Sequence, residues 1–453
     1  MAGDKPYQLA VLGAEPSGFA AAAVAALGGL RTVLIPAGWE HAAPAYAARP
    51  GAPADVWRRL ALHRSGARET PVSACVSLRA EGRASFTYKS EAETRDALAE
   101  RSEADAAALA EFEIVLERAR AHAQSLAGAL LKRNGAAHAA DPYADEASAR
   151  ALRHLTQPYR AVLADYFADP EVRAHVASRS LNADAISPYA YGSFGAFADA
   201  LDPEKWPVRD GSGANVAAAL RECAVDAGVD IGEFAVTSIE EEKVGFAVSC
   251  GDGGTLRARK LLAASQRSAR AAGVAAAGAL RRGRAADATE VFVKLGLSQQ
   301  LQPPSLEAEN DTLFTIADSL GEIQRAFDQA RDGAWPDKPP VVFELSDDRR
   351  EIFARAPVAP GRFFVDGEAR GWSEQDRQAF ATRIVRRLSE RLDGVDRTLR
   401  RTEVFVVEGP LDENGAPREA LRSDNVMVAG GAGGDIGEAV RLVDVLLKEA
   451  GGR

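Results

Sequence analysis

The chain has 453 residues, of which 46% are hydrophobic and 26% are charged, so it can bury a large core and is not a disordered tail. Its 55 Lys and Arg residues against 65 Asp and Glu residues give a net charge of -10. A general nucleic-acid role is therefore excluded, because an acidic surface repels phosphate backbones.

Cysteine and histidine usage argues against metal and disulfide sites. Cys75, Cys223 and Cys250 are far apart and form no C-x-x-C pair, which indicates a reducing compartment. No two of the six histidines have the spacing of metal ligands, so we expect no metal. Residues 1–7 are polar, and the apolar run at 19–27 is well short of the ~20 residues of a membrane span. We expect a cytoplasmic protein without a transmembrane segment.

The first informative motif lies within the first 35 residues. Residues 8–12 are typical of a buried parallel strand, and an alanine-rich helix at 19–27 is followed by a second strand at 31–35. Between the first strand and the helix stand Gly13, Ala14, Glu15, Pro16, Ser17 and Gly18. Strand, glycine turn, helix and strand in this order form the βαβ unit that binds dinucleotides.

Only part of the dinucleotide chemistry is supplied by this turn. Gly13 permits the sharp turn and Gly18 permits close helix packing, but Glu15 stands where a glycine normally lets a pyrophosphate approach the helix N-terminus. At roughly 4 Å and an effective dielectric near 20, each like-charge pair costs about 4 kcal/mol unless Glu15 turns into water. Pro36 replaces the acid expected to bind the ribose. A scaffold that has lost its ligand is the alternative to an intact site.

Helices dominate the next part of the chain. Residues 37–72 are predicted to form a loop with short helices. A strong helical pattern begins at Ser102, which forms a capping-box signature with Asp105. Further helices are expected at 146–166 and 170–179.

Strands and helices alternate after residue 205. A helix is predicted over 214–227 with Ser212 as its N-cap, where glycines would let a ligand approach, although a plain turn explains the same residues. Three short runs within 233–263 predict a β-meander. The chain closes with a strand at 425–429, glycines, and a helix at 436–450.

A second β-rich stretch lies before that closing segment. Strands are predicted at 290–297, 341–345 and 362–365, and helices at 320–332 and 373–392.

The order of these segments resembles the FAD-dependent phytoene desaturase-like oxidoreductases over nearly the whole chain. Within that family it is similar to the pyridine nucleotide-disulphide oxidoreductase domain 2-like branch, which is related in fold to amine oxidases. The stretches that carry the resemblance are residues 102–106, Trp206-Pro207 with Gly211 and Gly213, residues 258–263, and residues 336–340 before a strand.

The resemblance implies an α/β fold of amine oxidase or phytoene desaturase type. A Rossmann-like FAD-binding domain would comprise residues 1–40, 205–285 and 420–453. A mainly helical insert would occupy residues 41–204, and residues 286–419 would form a second, mixed-sheet α+β domain of substrate type.

The resemblance also implies FAD as the cofactor and a hydrophobic substrate beneath the second sheet. Position by position, Gly13 to Gly18 would face the pyrophosphate and Val236 the adenine, while Gly430, Gly431 and Gly437 would approach the flavin. The departures from the family pattern lie at these same contacts. They are Glu15, Pro36, a deletion after the second strand, and a shortened glycine loop at 430–437.

Three functions stay open from the sequence. One is an FAD-dependent oxidoreductase that oxidises or desaturates a hydrophobic or amine-like small molecule, which needs no protein nucleophile or metal. Another is a non-catalytic protein with weakened or lost FAD binding that has a binding, regulatory or complex-forming role. In the third, a long helix at 102–133 docks a protein partner, the alternative being ordinary packing. Catalytic residues are not assigned, and a homo-oligomer is left open.

Overall fold

A computed structural model describes most of the chain. The described residues are 5–37, 49–80, 83–131, 145–183, 185–210, 216–276, 288–302, 311–365, 367–407, 421–423, 425–429 and 436–451. Within them the chain forms two seven-stranded sheets, smaller two- and three-stranded sheets, and helices packed against both large sheets.

The strands of the N-terminal half are β1 (Tyr7–Leu12), β2 (Thr32–Ile35), β3 (Arg49–Pro50), β4 (Glu69–Pro71), β5 (Ala74–Leu78), β6 (Ala84–Tyr88) and β7 (Pro207–Asp210). The strands after them are β8 (Asp230–Ile231), β9 (Val236–Glu242), β10 (Gly245–Cys250), β11 (Thr255–Ala263), β12 (Val274–Ala276), β13 (Ala288–Leu297), β14 (Leu313–Ile316), β15 (Val341–Leu345), β16 (Glu351–Pro360), β17 (Phe363–Val365), β18 (Glu368–Arg370), β19 (Leu399–Val406), β20 (Leu421–Ser423) and β21 (Val426–Val428).

The helices of the N-terminal half are α1 (Pro16–Leu27), α2 (Ala54–Arg59), α3 (Glu91–Ala99), α4 (Glu103–Leu131), α5 (Glu146–His154), α6 (Tyr159–Tyr166), α7 (Pro170–Ala183) and α8 (Ser193–Ala200). The helices after them are α9 (Val216–Asp226), α10 (Gln266–Ala271), α11 (Leu320–Arg331), α12 (Glu374–Ser389), α13 (Val395–Thr398) and α14 (Ile436–Gly451).

The first sheet combines a parallel core with an antiparallel edge. Its strand order is β8-β2-β1-β11-β10-β9, and β21 also pairs with β11. Strands β8, β2, β1, β11 and β21 are parallel neighbours, whereas β9, β10 and β11 form the predicted antiparallel meander. The carboxyl ends of β1, β2, β11 and β21 therefore meet at one edge, which is where ligands bind in open α/β sheets.

The composition of α1 explains its central position. Residues 17–25 are all buried, as expected for a helix that is apolar on every side. The alanine-rich helix packs with α9 and α14 in one hydrophobic cluster. Its C-terminal end lies so close to α14 that a Cβ atom at Gly28 would overlap the side chain of Leu447.

The second sheet is mainly antiparallel, with the strand order β19-β13-β16-β15-β14-β5-β6. Only the β14 and β5 pair is parallel among these neighbours. Phe380, Ile384 and Leu388 of α12 belong to the cluster that covers one face. The other face contributes Cys75 and Val342 to a cluster filled by the helices between α4 and α8 and by α11.

Two features of the helical segment differ from the sequence prediction. Strands β5 and β6 lie within it and join the second sheet, and β5 is buried along its whole length. The helix expected at 146–166 is divided into α5 and α6. Pro158 stands directly before α6, and a proline at this point cannot continue a helix because it lacks an N–H donor.

Helix α4 packs against the rest of the helical segment along one face and is exposed along the other. Ser102 Oγ accepts from the Asp105 N–H at 3.2 Å, as the capping signature predicted. The Asp105 carboxylate does not complete a capping box; it accepts from the backbone N–H groups of Ala168 and Asp169 at 2.7 and 3.0 Å. The side chains of α4 that join the hydrophobic cluster are Leu109, Phe112, Val115, Leu116 and Ala119. This favours ordinary packing for the apolar face of α4.

The remaining long helices give a clear result on membrane spanning. Among the residues described above, no helix has both the length and the apolarity that crossing a bilayer requires.

Candidate functional site

The glycine turn after β1 has the geometry expected of a βαβ unit. Gly13 has a φ of +111°, and its N–H donates to the Ile35 carbonyl oxygen at 2.8 Å, which ties the turn to the end of β2. A Cβ atom at Gly18 would overlap the Gly13 carbonyl oxygen. The first and third glycines therefore perform the roles that their spacing indicates, sharp turning and close packing.

Glu15 is the unusual residue of this turn. It is the N-cap of α1, but its side chain makes no capping hydrogen bond and is only 7% exposed. Its Oε1 atom accepts a hydrogen bond of 2.6 Å from Ser268 Oγ. Its Oε2 atom lies so close to Gly13 that a Cβ atom there would overlap it. The carboxylate thus lies inside the protein, against the turn, and does not point into water.

The start of α10 holds Ser268 in place beside the turn. The Ala264 N–H donates to the Leu12 carbonyl oxygen at 2.9 Å, which fixes the chain after β11 next to the end of β1. Ser265 caps α10, since its Oγ accepts from the Ser268 N–H at 3.1 Å. The Ser265 hydroxyl also donates to Ser268 Oγ at 3.1 Å, leaving the Ser268 hydroxyl hydrogen for Glu15.

A buried ionic cluster continues from α10 into the second sheet. Arg267 Nε donates to Glu290 Oε2 at 2.8 Å, and Arg355 Nη1 lies 3.6 Å from the same oxygen. Desolvation lowers the pKa of Arg267, while the charges of Glu290 and Glu15 oppose that effect. The guanidinium also lies over the ring of Phe292, 4.9 Å from its centroid. Two glutamates and two arginines give this cluster a formal charge of zero.

Arg355 extends the cluster to the helical segment. Its Nη2 atom donates to two carbonyl oxygens at the end of α7. One belongs to Leu181, and the other belongs to Asn182 at 3.0 Å. Arg355 is 1% exposed. Because a buried guanidinium requires charge and hydrogen-bond partners, this arrangement ties the first sheet, the second sheet and α7 together through Arg267 and Glu290.

Within the described residues, which continue after β2 only to Ala37, no carboxylate follows the strand to bind a ribose. Ile35 is followed by Pro36, which is buried, and the Pro36 carbonyl oxygen accepts from the Val236 N–H at 3.0 Å. Val236, which the resemblance places near an adenine, is 8% exposed and packs in one cluster with Ile35 and Phe246. The structure therefore brings Val236 to the same edge as the glycine turn.

The other site residues expected from the sequence have different outcomes. Ala14 is half-buried, and Pro16 begins α1 with Ser17 fully buried behind it. Gly437 lies buried in the first turn of α14. Gly430 and Gly431 lie outside the described residues, as does the expected N-cap Ser212.

A pyrophosphate does not fit the residues of this turn. The positive end of α1 normally attracts an anion, but here the buried Glu15 carboxylate already lies at that end. A phosphate charge roughly 4 Å away would add about 4 kcal/mol of repulsion at an effective dielectric near 20. Turning Glu15 outward would remove that cost only by breaking its bond with Ser268. The carboxylate occupies the electrostatic role of the ligand.

Sequence reasoning identified Glu15 but missed its partners. Ser268, Arg267, Glu290 and Arg355 come from three other elements, and the Glu15 to Ser268 hydrogen bond joins residues 253 positions apart. A weak local signal existed, because a serine pair at 265 and 268 after a buried strand is a typical helix cap.

The chain matches no family model and no curated protein sequence. It is similar in structure to wild-type putrescine oxidase bound to putrescine, with 13% identity, a TM-score of 0.51, and coverage of 99% of this chain and 100% of the other. A triple mutant of putrescine oxidase gives 13% identity, a TM-score of 0.51 and 98% coverage of both chains. A Rab GDI from Plasmodium falciparum gives 8% identity, a TM-score of 0.51, and coverage of 98% and 97%.

These similarities confirm the α/β fold class. The chain has the two-domain architecture of amine oxidase type, with an FAD-binding-type and a substrate-type domain, across nearly its full length. The same architecture occurs in proteins named as oxidases and in a Rab GDI. The fold alone therefore selects no activity, because function depends on the site and not on the fold.

Proposed function

We propose that this protein keeps the amine oxidase fold for binding and not for flavin redox chemistry. The observation that carries the proposal is the burial of the Glu15 carboxylate on Ser268, at the end of α1 that would hold the FAD pyrophosphate. The neutral cluster of Glu15, Arg267, Glu290 and Arg355 supports it, since the protein supplies every charge needed to balance this region internally. A dianionic ligand would disturb that balance.

The absence of a ribose-binding acid from the described residues directly after β2 supports the same proposal. In dinucleotide-binding units the second strand ends close to an acidic residue that binds the ribose. Here Pro36 follows β2 and its carbonyl oxygen is used by Val236. In this proposal the residues predicted to contact FAD are retained as scaffold, within a domain made of residues 1–40, 205–285 and 420–453.

A flavin-dependent oxidoreductase of the phytoene desaturase-like family is the second candidate. It is favoured by the turn geometry at Gly13 and Gly18 and by the position of the N-terminus of α1 directly after β1, at the edge of the sheet. In that case FAD would accept hydride from a hydrophobic or amine-like substrate, and the protein would orient the two.

Flavin content separates the two candidates. The experiment records the visible absorbance spectrum of the protein as purified, and again after incubation with excess FAD and removal of free flavin by gel filtration. We expect no flavin band in either spectrum of the wild type. A yellow protein that retains a stoichiometric amount of FAD would overturn the proposal and favour the oxidoreductase.

A further inference from the structure

The two edges of the second sheet differ in how their backbone groups are satisfied. At the edge formed by β6, the Thr94 hydroxyl of α3 accepts from the Tyr88 N–H at 2.9 Å and donates to the Tyr88 carbonyl oxygen at 3.1 Å. At the other edge β19 pairs with β13, and the described residues provide no strand on its outer side. Because β19 is eight residues long and half-exposed over most of its length, it can accept another strand.

The pairing of β19 with β13 shows which backbone groups face outward. The Val407 N–H donates to the Glu290 carbonyl oxygen at 3.0 Å, so these two residues form a hydrogen-bonded pair. Hydrogen-bonded and non-hydrogen-bonded pairs alternate along an antiparallel ladder. Thr402 and Val404 each lie an odd number of residues before Val407 in a continuous part of the register, so their N–H and C=O groups point away from β13. These are the groups that a further strand would bind.

Charged side chains alternate on one face of this edge. Arg401 and Glu403 project from the same face of β19, since residues two apart in a strand share a face, and Arg401 Nη2 lies 2.5 Å from Glu403 Oε1. Both side chains reach solvent, being 71% and 42% exposed. Lys294 of β13 lies opposite Glu403 and is paired with Glu351 of β16 at 2.8 Å. Positive and negative charges therefore follow one another towards the edge.

A second copy of β19, related by a two-fold axis at Thr402, complements these charges. Antiparallel pairing about that residue places Arg401 of each copy opposite Glu403 of the other. The two Thr402 residues then form a hydrogen-bonded pair, and Thr–Thr and opposite-charge pairs each stabilise a sheet. An axis at Glu403 would set two carboxylates against each other, and an axis at Val404 would set Glu403 opposite Phe405. Of these three registers, the one at Thr402 brings opposite charges together.

We propose that β19 is an interface between two copies of this chain, paired antiparallel about Thr402 so that the two second sheets join into one. The charges select a second copy over an unrelated strand, because the pattern of Arg401 and Glu403 is complementary to itself. Charged edge residues ordinarily oppose pairing, and here they restrict it to one register. An interface made by one pair of strands is small, so we expect a dimer that dissociates on dilution. The inference uses no residue of the glycine turn, so it does not depend on whether FAD binds.

Sedimentation velocity over a series of concentrations tests the assignment on the full chain. We expect the wild type to change from monomer to dimer as the concentration rises. Thr402→Pro removes the N–H at the centre of the proposed pair, and proline is tolerated in an edge strand where its N–H would face solvent. We therefore expect this variant to be a folded monomer at every concentration. Circular dichroism checks that it is folded.

Charge reversal tests the register of the pair. Arg401→Glu and Glu403→Arg each set like charges opposite one another in the homodimer, and each should weaken it about tenfold or more. Mixed in equal amounts, the two variants should bind each other, because each supplies the charges that the other lacks. Glu242→Arg is the matched control, since it reverses an exposed carboxylate that is paired with Arg257 on the edge strand β9 of the first sheet. It should leave the association unchanged.

Three results would overturn the inference. They are a wild type that stays monomeric over the whole series, a dimer that persists in folded Thr402→Pro, and a dimer whose dissociation constant is unchanged by both charge reversals. The first would mean that a different chain, or none, pairs with β19. If Thr402→Pro does not fold, the charge reversals and their mixture decide. FAD retention is measured separately by absorbance, so failure of the dimer and failure of the proposed function give different results.

Discussion

Replacing the Glu15 carboxylate with an amide should reopen the glycine turn to phosphate. Glu15→Gln keeps the length of the side chain and an oxygen that can accept from Ser268 Oγ, while it removes the charge. Each like-charge pair at roughly 4 Å costs about 4 kcal/mol at an effective dielectric near 20. Relief of one such pair corresponds to an increase in phosphate affinity of up to about 10³-fold.

The same substitution should lower the stability of the unliganded protein only slightly. Hydrogen bonds to charged groups contribute about 1.5–3 kcal/mol and neutral ones about 0.5–1.5 kcal/mol, so the loss at Ser268 is about 1 kcal/mol. Arg267 also loses one of the negative charges near it. We therefore expect a slightly lower melting temperature without ligand, and a rise when a diphosphate is added.

Calorimetric titration with ADP measures the effect, because ADP carries a diphosphate but no flavin. Glu240→Gln is the matched control, since it removes one negative charge from an exposed position on β9. We expect ADP to bind Glu15→Gln far more tightly than the wild type or the control, and the gain to decrease with salt. Equal ADP affinity of the wild type and Glu15→Gln would show that the carboxylate does not exclude phosphate.

Three further predictions concern stability. Glu290→Gln leaves two buried arginines without their shared carboxylate and should lower the free energy of unfolding by about 3–5 kcal/mol, as measured by urea denaturation. Glu242→Gln, in an exposed pair, should cost less than about 1 kcal/mol. Similar losses in the two variants would contradict the buried cluster. Gly18→Ala should cost about 1–3 kcal/mol in thermal unfolding, because its methyl group would overlap a backbone oxygen. Gly321→Ala, whose methyl group would make only an ordinary contact with Ser319 Oγ at 3.8 Å, should be neutral or stabilising. Burial lowers the pKa of His175 to about 3, from a value near 6.5 in the unfolded chain. The unfolded state therefore binds an extra proton at low pH, and the free energy of unfolding falls as the pH drops below about 6.5, by about 2 kcal/mol at pH 5. Folded His175→Gln should lose this part of the pH dependence, and an unchanged pH profile would refute the prediction.

The parts of the fold that depend on local spacing could be predicted from the sequence. The β1–α1–β2 unit follows from short apolar runs around Gly13 and Gly18, whose separation fixes the turn geometry. The meander of β9, β10 and β11 follows in the same way from short runs separated by turn residues. These elements are defined by residues close together in the chain, so a single sequence contains the necessary information.

Strand pairing across the chain could not be predicted. β5 joins β14 in parallel, with Cys75 opposite Leu313, although the two strands are separated by more than half of the chain. No local pattern specifies such a partner, because a short buried run can become a strand in any sheet or part of a buried helix. The division between α5 and α6, in contrast, could have been predicted from the local sequence, because Pro158 lies directly before α6.

The candidate site shows the same limit. The sequence identified Glu15 as a departure and gave its electrostatic cost in the case that it stayed near the pyrophosphate. Whether the side chain turned outward or inward depended on Ser268, which reaches the turn only because β11 lies beside β1. The cluster of Arg267, Glu290 and Arg355 likewise exists only after α10 and the second sheet are in contact.

The central claim is that the buried Glu15 carboxylate takes the place of a ligand phosphate at the N-terminus of α1. A crystal structure of the wild type grown with excess FAD tests it most directly. We predict the carboxylate on Ser268 Oγ, as in the present structure, and no flavin density along the glycine turn. Density for an FAD pyrophosphate at this turn, with Glu15 displaced from Ser268, would contradict the claim.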